Sequence, residues 1–399
     1  MKADWRYAAA AALVVVGGVG GWLLVSTGDP DDSVDADGVV TPVITDVGID
    51  PSLARSYQFS RWWSDGESAL RLGVDGADVV VRTPDRSIAP GAVSARLAGA
   101  DALDPAAVAA MPGGSGAPWV AVSTRDPDDD SGVIRSWTGG DGEAQRAVRP
   151  TRVPAELRPV SSDDVITNDV AVARSGETTS ALVVVHQGST SQLFACRLDD
   201  CEWTSVEAPN QQAVGYVAST GSGFVAVTDA GSDRAQVWYA EAGTSTWSRV
   251  GEAPEDMRLR AAQDGLDEVL LIWADGEGGR AMVQKVAPDA GDQAVTTVAG
   301  PASIGPDSSR LTSVLQVGDD WLLAGSAASE SGVSLAYPAS APRLWSLDGD
   351  RWRDVEAAVL DQQPDQEFQV LWHSGDAIVG VSASAPLKVH EIWRLVPAS

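Results

Sequence analysis

The feature that most constrains the fold of this chain is an internal repeat of short apolar strands, separated by turns rich in Gly, Asp, Ser and Pro. The clearest unit runs from Ala213 to Val250, and its pattern predicts four strands, at residues 213–220, 223–228, 235–241 and 246–250. Units of this kind begin near residues 106, 165, 212, 258, 310 and 367, and are 46–59 residues apart. This spacing predicts an all-β domain made of four-stranded antiparallel sheets.

Two further segments extend the repeat to a closed ring. Residues 55–97 alternate like strands and predict one more unit, whereas the last unit, from Glu367, has only three predicted strands. We therefore expect a strand near Val39–Val47 to supply the missing fourth, because such closure leaves no exposed sheet edge. The predicted fold is a β-propeller over residues 50–399, with seven blades favoured and six or eight still compatible with the pattern.

The N-terminal residues have a different composition. Residues 1–7 carry Lys2 and Arg6, and the following run, Ala8–Val25, has no charged group. At 1.5 Å per residue, a helix over this run spans about 27 Å, close to the hydrocarbon core of a bilayer. The positive-inside rule then predicts a cytoplasmic tail at residues 1–7, a single-pass transmembrane anchor at residues 8–26, and an extracytoplasmic remainder. A signal peptide cleaved near Ala36 is the competing interpretation.

Charge limits the kinds of partner this protein can have. The chain contains 56 acidic and 28 basic residues, a formal net charge of −28, and residues 27–49 read as an acidic tether that includes the expected ring-closing strand. Nucleic-acid binding is excluded, because neutralising phosphates requires a basic surface. An apolar fraction of 44% excludes a largely disordered chain. We expect an envelope or membrane protein as partner, with a glycan as the alternative.

The chain has two cysteines, Cys196 and Cys201. Four residues separate them, in a segment that predicts a short hairpin which a disulfide could staple in an oxidising compartment. Two thiols are too few for a zinc site, and the CxxC spacing of redox proteins is absent. The sequence therefore predicts a Cys196–Cys201 disulfide, in agreement with export.

One predicted turn carries a recognisable motif, formed by Ser346, Asp348, Gly349 and Trp352. It resembles the Asp-box hairpin of BNR-repeat propellers, the family that includes sialidases. Locally, Asp348 is expected to cap turn amides, Gly349 to supply a permissive φ, and Trp352 to pack between blades. The resemblance implies an exported bacterial propeller whose repeats are degenerate versions of this kind, without a catalytic site.

Two other groups of residues are candidates for binding. Asp126, Asp128 and Asp130 place carboxylates at alternate positions of a turn, as Ca²⁺ loops do, although a solvated acidic turn has the same pattern. Trp62 and Trp63 are adjacent, so strand alternation points one ring inward and the other outward. An exposed ring would offer a binding surface, whereas packing of both under a neighbouring blade is the alternative.

These observations predict a function without catalysis. We expect a membrane-anchored, extracytoplasmic β-propeller that acts as a protein-binding or scaffolding module at the bacterial cell envelope and requires no cofactor. The alternative is a sialidase-like envelope glycoside hydrolase or a glycan-binding lectin. A hydrolase needs two carboxylates about 5–10 Å apart at the channel mouth, whereas a scaffold needs an exposed apolar or aromatic patch.

Overall fold

The computed structural model describes residues 42–46, 61–75, 78–82, 93–97, 105–113, 117–123, 134–139, 147–148, 151–153, 165–187, 190–199, 202–231, 234–276, 279–289, 294–304, 310–318, 320–328, 340–348, 351–355, 366–374, 377–384 and 389–397. All of them belong to one compact unit, Thr41–Ser399. The predicted tail (1–7), anchor (8–26) and most of the tether (27–49) lie outside the described residues. Within the described ranges, no helix is long and apolar enough to cross a membrane.

Nearly all of the described chain is β-strand, as the repeat predicts. The first fourteen strands are β1 (Pro42–Asp46), β2 (Arg61–Ser64), β3 (Ala69–Asp75), β4 (Asp78–Arg82), β5 (Val93–Leu97), β6 (Pro105–Ala110), β7 (Trp119–Ser123), β8 (Ile134–Gly139), β9 (Ala147–Val148), β10 (Thr151–Val153), β11 (Val165–Ser175), β12 (Thr178–Gln187), β13 (Thr190–Arg197) and β14 (Thr204–Val206). The others are β15 (Val214–Ser219), β16 (Gly223–Thr228), β17 (Gln236–Glu241), β18 (Ser248–Glu252), β19 (Met257–Gln263), β20 (Val269–Asp275), β21 (Arg280–Val286), β22 (Val295–Ser303), β23 (Arg310–Val317), β24 (Asp320–Ala328), β25 (Ser340–Asp348), β26 (Arg351–Asp354), β27 (Gln366–Ser374), β28 (Ala377–Ser384) and β29 (Val389–Pro397). A 3₁₀ turn, Pro209–Gln211, lies between β14 and β15.

The described strands form seven sheets, numbered here along the chain. Sheet 1 contains β2–β5 and β9, sheet 2 contains β6, β7, β8 and β10, and sheet 7 contains β27–β29 and β1. Sheets 3, 4, 5 and 6 contain β11–β14, β15–β18, β19–β22 and β23–β26 respectively. Neighbouring strands that follow each other in sequence pair antiparallel, so each repeat is a meander.

The first strands of the sheets make a closed ring. Contacts run from β2 to β6, β11, β15, β19, β23 and β27 in turn, and from β27 back to β2. Sheets arranged radially around a central channel, each with its first strand innermost, define a β-propeller. The described residues therefore confirm the predicted propeller, with seven sheets in its ring.

The expected closing strand is present as β1. It pairs antiparallel with β29, from Pro42 opposite Pro397 to Asp46 opposite Trp393. The N-terminal strand thus completes the sheet formed by the last three strands, and it lies within the predicted range of residues 39–47. This pairing joins the two ends of the ring through backbone hydrogen bonds, which stabilise the closed form.

Sheet 2 departs from the sequence prediction. The strand segment that follows β8 in the chain, β9, does not join sheet 2 but pairs in parallel with β5 of sheet 1, with Arg96 opposite Ala147. The fourth position in sheet 2 belongs to β10, where Thr151 lies opposite Ser136. Pro150 separates the two short strands in sequence, and a proline cannot donate to a sheet ladder, so one continuous strand is disfavoured there.

The core consists of apolar layers between neighbouring sheets. All six residues of β16 are buried, because the second strand of a sheet is covered on both faces by the sheets beside it. Trp137, Trp273 and Trp345 are fully buried in layers of this kind. The ring is therefore held together between sheets by side-chain packing and within sheets by strand pairing.

Candidate functional site

The turns between the first and second strands of the sheets lie on one face of the ring, which we call the first-turn face. Hydrogen bonds join these turns across sheet boundaries. The N–H of Gly113 donates to Asp65 Oδ2 (2.7 Å), and the N–H of Arg174 donates to the Gly221 carbonyl (2.9 Å). The N–H of His373 donates to the Gly66 carbonyl (2.7 Å). Turns that are bonded to their neighbours hold the end of the channel in one arrangement.

One of these turns crosses the channel. Residues 264–268, which join β19 to β20 and which we call the cross-channel turn, begin with Asp264. Its Oδ2 accepts a hydrogen bond from Trp63 Nε1 of sheet 1, and its Oδ1 accepts bonds from the backbone N–H and the hydroxyl of Ser219 in sheet 4. Sheets 1 and 5 are not neighbours in the ring, so Asp264 ties opposite walls together and closes this mouth of the channel.

A second series of buried bonds connects sheet 5 to sheet 1 through sheets 6 and 7. Gln263 Oε1 accepts bonds from Ser313 Oγ (3.0 Å) and from the backbone N–H of Val314 (3.1 Å). The N–H of Leu371 donates to Ser313 Oγ (3.1 Å), and Ser64 Oγ donates to the Leu371 carbonyl (2.9 Å). Satisfied polar networks in low-dielectric surroundings fix geometry, so the channel lining is rigid at this end.

The cross-channel turn presents Leu266 to solvent. The Leu266 side chain is 55% exposed, and it is the one large hydrophobic side chain exposed among the described residues. Its Cδ1 would lie 2.8 Å from a Cβ at Gly113 and 2.9 Å from a Cβ at Gly221. Gly113 also has a φ of +100°, which L-residues rarely adopt. The two glycines thus make room for the leucine to lie over the turns of sheets 2 and 4.

A second carboxylate, Asp169 of β11, lies near Asp264. β15 is the first strand of its sheet, so the N–H groups on its inner edge have no ladder partner within the sheet. The N–H of Val217 donates to Asp169, and the N–H of Ser219 donates to Asp264. Because these residues are two apart on one strand, their N–H groups are about 7 Å apart. The two carboxylates therefore cap neighbouring positions of the same free edge.

Burial raises the pKa of both carboxyl groups. Burial raises the pKa of Asp169 to about 7. The charge of Asp264 also raises this pKa, whereas the hydrogen bond from Val217 lowers it. Burial also raises the pKa of Asp264 to about 7, although the hydrogen bonds from Ser219 and Trp63 lower it. Desolvation disfavours the charged form of a carboxyl group, which is the main cause in each case.

The surroundings of Asp169 are polar but enclosed. Its Oδ2 is buried and accepts no hydrogen bond from the described residues. Tyr216 lies beside it, and burial, together with the Asp169 charge, raises the pKa of the phenol to about 12. The Tyr216 hydroxyl donates to the Arg260 carbonyl (3.1 Å). The arrangement can hold a proton near neutral pH, and Asp264 is 8% exposed.

A bulge positions several of these residues. The pairing of first and second strands slips near the start of β6, β11, β15, β19, β23 and β27. Asp169 and Tyr216 are the first paired residues after the bulge in β11 and β15. A bulge adds one residue and re-aims the side chains that follow it, which is a common device beside binding sites.

Of the two alternatives predicted for Trp62 and Trp63, the structure shows packing of both rings and not an exposed binding surface. Trp63 is 7% exposed and bonded to Asp264 inside the channel. Trp62 is partly buried and stacks on Trp372 of sheet 7, with ring centroids 6.0 Å apart and Arg71 over its ring at 5.9 Å. Because β2 is an innermost strand, one ring faces the channel and the other faces the neighbouring sheet, so neither is an exposed platform.

The Asp-box-like turn lies between β25 and β26. Ser346 is opposite Arg353, and Leu347 is opposite Trp352, so the segment is a hairpin as expected. Trp352 is buried in the apolar layer between sheets 5 and 6, which confirms its predicted packing between blades. Gly349 and the side chain of Asp348 lie outside what the structure describes, so their predicted roles stay predictions.

The remaining sequence candidates are not brought together by the described structure. Asp126, Asp128 and Asp130 all lie outside the described residues. Within those residues, no group of three or more His, Cys, Asp or Glu side chains is placed to hold a metal ion. Cys196 is buried on β13, and Cys201 lies outside the described ranges, so the disulfide stays a prediction.

Sequence reasoning missed the residues that close the channel. The segment Asp264-Gly265-Leu266-Asp267 stands between the mixed strand β19 and the strongly apolar strand β20, and it looks like an ordinary Asp-Gly turn. The one available signal is a leucine inside a turn that is otherwise polar. Asp169 gave no signal, because its role depends on a bulge and on the free edge of a strand in the next sheet.

The sequence matches no protein-family model and no curated protein. Solved structures with similar folds include a Trypanosoma rangeli sialidase in complex with the inhibitor DANA, at 11% identity and a TM-score of 0.41, over 73% of this chain and 54% of that chain. A prolyl endopeptidase matches at 13% identity and a TM-score of 0.43, over 81% and 46%. YCF48 bound to D1 peptide matches at 12% identity and a TM-score of 0.38, over 73% and 92%. The chain thus spans about half the length of the sialidase and the endopeptidase, and the similarity concerns the fold alone.

Proposed function

We propose that this protein is a membrane-anchored, extracytoplasmic propeller that binds a protein partner at the bacterial cell envelope as a scaffold, without catalysis. The observation that carries the proposal is the closed channel mouth. The carboxyl group of Asp264 is turned inward and bonded to two walls, whereas Leu266 of the same turn is turned outward. A closed, rigid face with an exposed apolar side chain is suited to recognition of another protein.

The membrane part of the proposal is supported by the sequence. The uncharged run Ala8–Val25 is long enough to span a bilayer, and Lys2 and Arg6 precede it. A propeller tethered outside the membrane by this run would meet its partner in the membrane or the envelope, beside the propeller.

The second candidate function is a sialidase-like hydrolase, with a glycan-binding lectin as its non-catalytic form. The Asp169–Asp264 pair favours the hydrolase, because the strand positions they cap are about 7 Å apart and glycosidases use carboxylates about 5–10 Å apart. A raised pKa also suits a general acid. Both groups are buried, however, and their bonds are to the protein itself, so the hydrolase ranks second.

The test is affinity capture of the full-length protein from native membranes in mild detergent, followed by mass spectrometry. A form lacking residues 1–26 is the control. We expect a stoichiometric partner with the full-length protein, and its loss from the control would place the contact in the membrane. Recovery of the protein alone, cut near Ala36 and released to the medium, would refute both the anchor and the scaffold.

The hydrolase is tested separately. Purified protein is incubated with aryl glycosides, including a sialoside, and the release of the aryl group is followed from pH 5 to pH 8. We expect no turnover above that of the Asp264→Asn variant. Turnover that is lost in both Asp169→Asn and Asp264→Asn would establish the carboxylate pair as catalytic and overturn the non-enzymatic assignment.

A further inference from the structure

The cross-channel turn holds its exposed leucine in a fixed place. The N–H of Gly265 donates to the Ser219 carbonyl (3.2 Å), and the Leu266 carbonyl accepts from the N–H of Gly221. Asp264 fixes the start of the turn from three donors, and Lys285 forms an ion pair with Glu268 at its end. The turn is thus bonded at both ends, and this holds Leu266 in one place, packed against Gly113 and Gly221 on one side and exposed on the other.

The position of Leu266 is central on the first-turn face. Its side chain lies against Gly113 of sheet 2 and Gly221 of sheet 4, while its turn begins in sheet 5 and is bonded to Trp63 of sheet 1. Turns from three sheets therefore meet around it, and its own turn is bonded to an inner strand of a fourth sheet. A single anchor surrounded by the turns of a ring is the arrangement expected of a binding hot spot, where one desolvated side chain dominates and its neighbours exclude water.

The surface around Leu266 is acidic. The same turn carries the exposed Asp267, and the first turns of sheets 1 and 3 carry the exposed Glu67 and Glu177. None of these three carboxylates forms an ion pair with a described residue. The positively charged guanidinium of Arg174 lies on the same face, and its Nε donates to Thr179 Oγ1 (3.0 Å). Three carboxylates against this one guanidinium still leave net negative charge facing a partner that covers the leucine.

We propose that the first-turn face around Leu266 docks a segment of the partner protein in which an apolar side chain is flanked by Lys or Arg. This inference rests on the proposed function and names the chemistry of the partner for it. The apolar side chain would pack against Leu266, and the cationic groups would neutralise Asp267, Glu67 and Glu177. Complementary charge of this kind raises the association rate and rejects acidic partners, which would be repelled by a protein of net charge −28.

The experiment uses three labelled peptides with acetylated and amidated ends. One alternates Lys and Leu over five residues, the second replaces each Leu by Ser, and the third replaces each Lys by Glu. Binding to the full-length protein in mild detergent is measured by fluorescence anisotropy at low and high salt. We expect binding of the Lys-Leu peptide alone, weakened as salt rises.

Variants locate the contact. Leu266→Asp and the milder Leu266→Ala should lower affinity for the Lys-Leu peptide by about tenfold or more. Combined Glu67→Gln, Glu177→Gln and Asp267→Asn should lower it and reduce its dependence on salt. Glu255→Gln, an exposed carboxylate between β18 and β19, is the matched control and should bind as the wild type does. Thermal unfolding verifies that each variant is folded.

Other outcomes overturn the docking site. Equal binding of the three peptides, no binding of the Lys-Leu peptide, or unchanged binding by a folded Leu266→Asp variant would each do so. Affinity capture from membranes separates this failure from failure of the proposed function. A partner retained equally by wild type and Leu266→Asp leaves the scaffold intact and excludes this face, whereas absence of any partner refutes the scaffold itself.

Discussion

The buried carboxylate Asp169 should make the stability of the propeller fall as pH rises. Its ordinary pKa of 3.8 is raised to about 7 by burial in the folded protein. Between about pH 4 and pH 7 the folded state therefore holds a proton that the unfolded state has released. By linkage, the free energy of unfolding decreases as pH rises through that window, and the stability present below pH 4 is lost by about pH 7.

The Asp169→Asn variant isolates this effect. A pKa difference of about three corresponds to roughly 4 kcal/mol at 25 °C, which is the cost of the ionised group in the folded state at alkaline pH. Asparagine cannot ionise, and its carbonyl oxygen can still accept the bond from Val217. Asp264 is a poorer site for the same change, because Trp63 and Ser219 donate to both of its carboxyl oxygens and a carboxamide would turn a donor toward one of them.

The assay is urea unfolding of the full-length protein in mild detergent at pH 4, 5, 6, 7 and 8. We expect the variant to gain stability relative to the wild type as pH rises, by roughly 4 kcal/mol between pH 4 and pH 8. Asp199→Asn, a change of an exposed carboxylate on the hairpin after β13, should follow the wild type at every pH. Parallel curves for wild type and Asp169→Asn would refute the argument that Asp169 is buried and protonated near neutral pH.

Three further outcomes follow from the packing. Trp63→Phe should cost about 1–3 kcal/mol of stability in urea unfolding, because it leaves a buried carboxyl oxygen without its donor, whereas Trp62→Phe, whose indole N–H has no partner among the described residues, should cost less. Removal of residues 1–46 should abolish cooperative thermal unfolding, while removal of residues 1–41 should not, because only the former deletes Pro42–Asp46 and opens the ring. Alkylation of the denatured protein followed by mass spectrometry should label Cys196 and Cys201 only after reduction. Labelling without reductant would exclude the disulfide.

The sequence was sufficient for the fold because a propeller is specified by local pattern repeated many times. Each unit supplies four alternating strands and short turns, and one unit in which the pattern is clear, such as Ala213–Val250, identifies the others. Even the ring closure could be predicted, since the last unit was short by one strand and a free edge is unfavourable. The exchange of β9 into sheet 1 could not, because a two-residue strand carries no pattern of its own.

The site could not be predicted in the same way because it is made of long-range contacts between units. Trp63 and Asp264 are 201 residues apart in sequence, and each sits in a segment with an ordinary local explanation. For the adjacent Trp62 and Trp63 the sequence left exposure and packing both open. Their strand is innermost, so one ring meets the channel and the other meets sheet 7. Local alternation assigns a side chain to a face of its strand, but only the ring determines what that face contacts.

Asp264 and the exposed Leu266 belong to the same turn, and the second channel carboxylate, Asp169, lies near Asp264 on β11. An inner strand leaves the N–H groups of Val217 and Ser219 without ladder partners, and Asp169 and Asp264 satisfy them at the cost of burying two acids. A neutral side chain could cap such an edge with less loss of stability above pH 7. The two buried acids are therefore locally unfavourable within an otherwise consistent fold, which is typical of functional sites. Because Asp264 also anchors the turn that presents Leu266, the charge state inside the channel and the geometry of the docking face are physically linked.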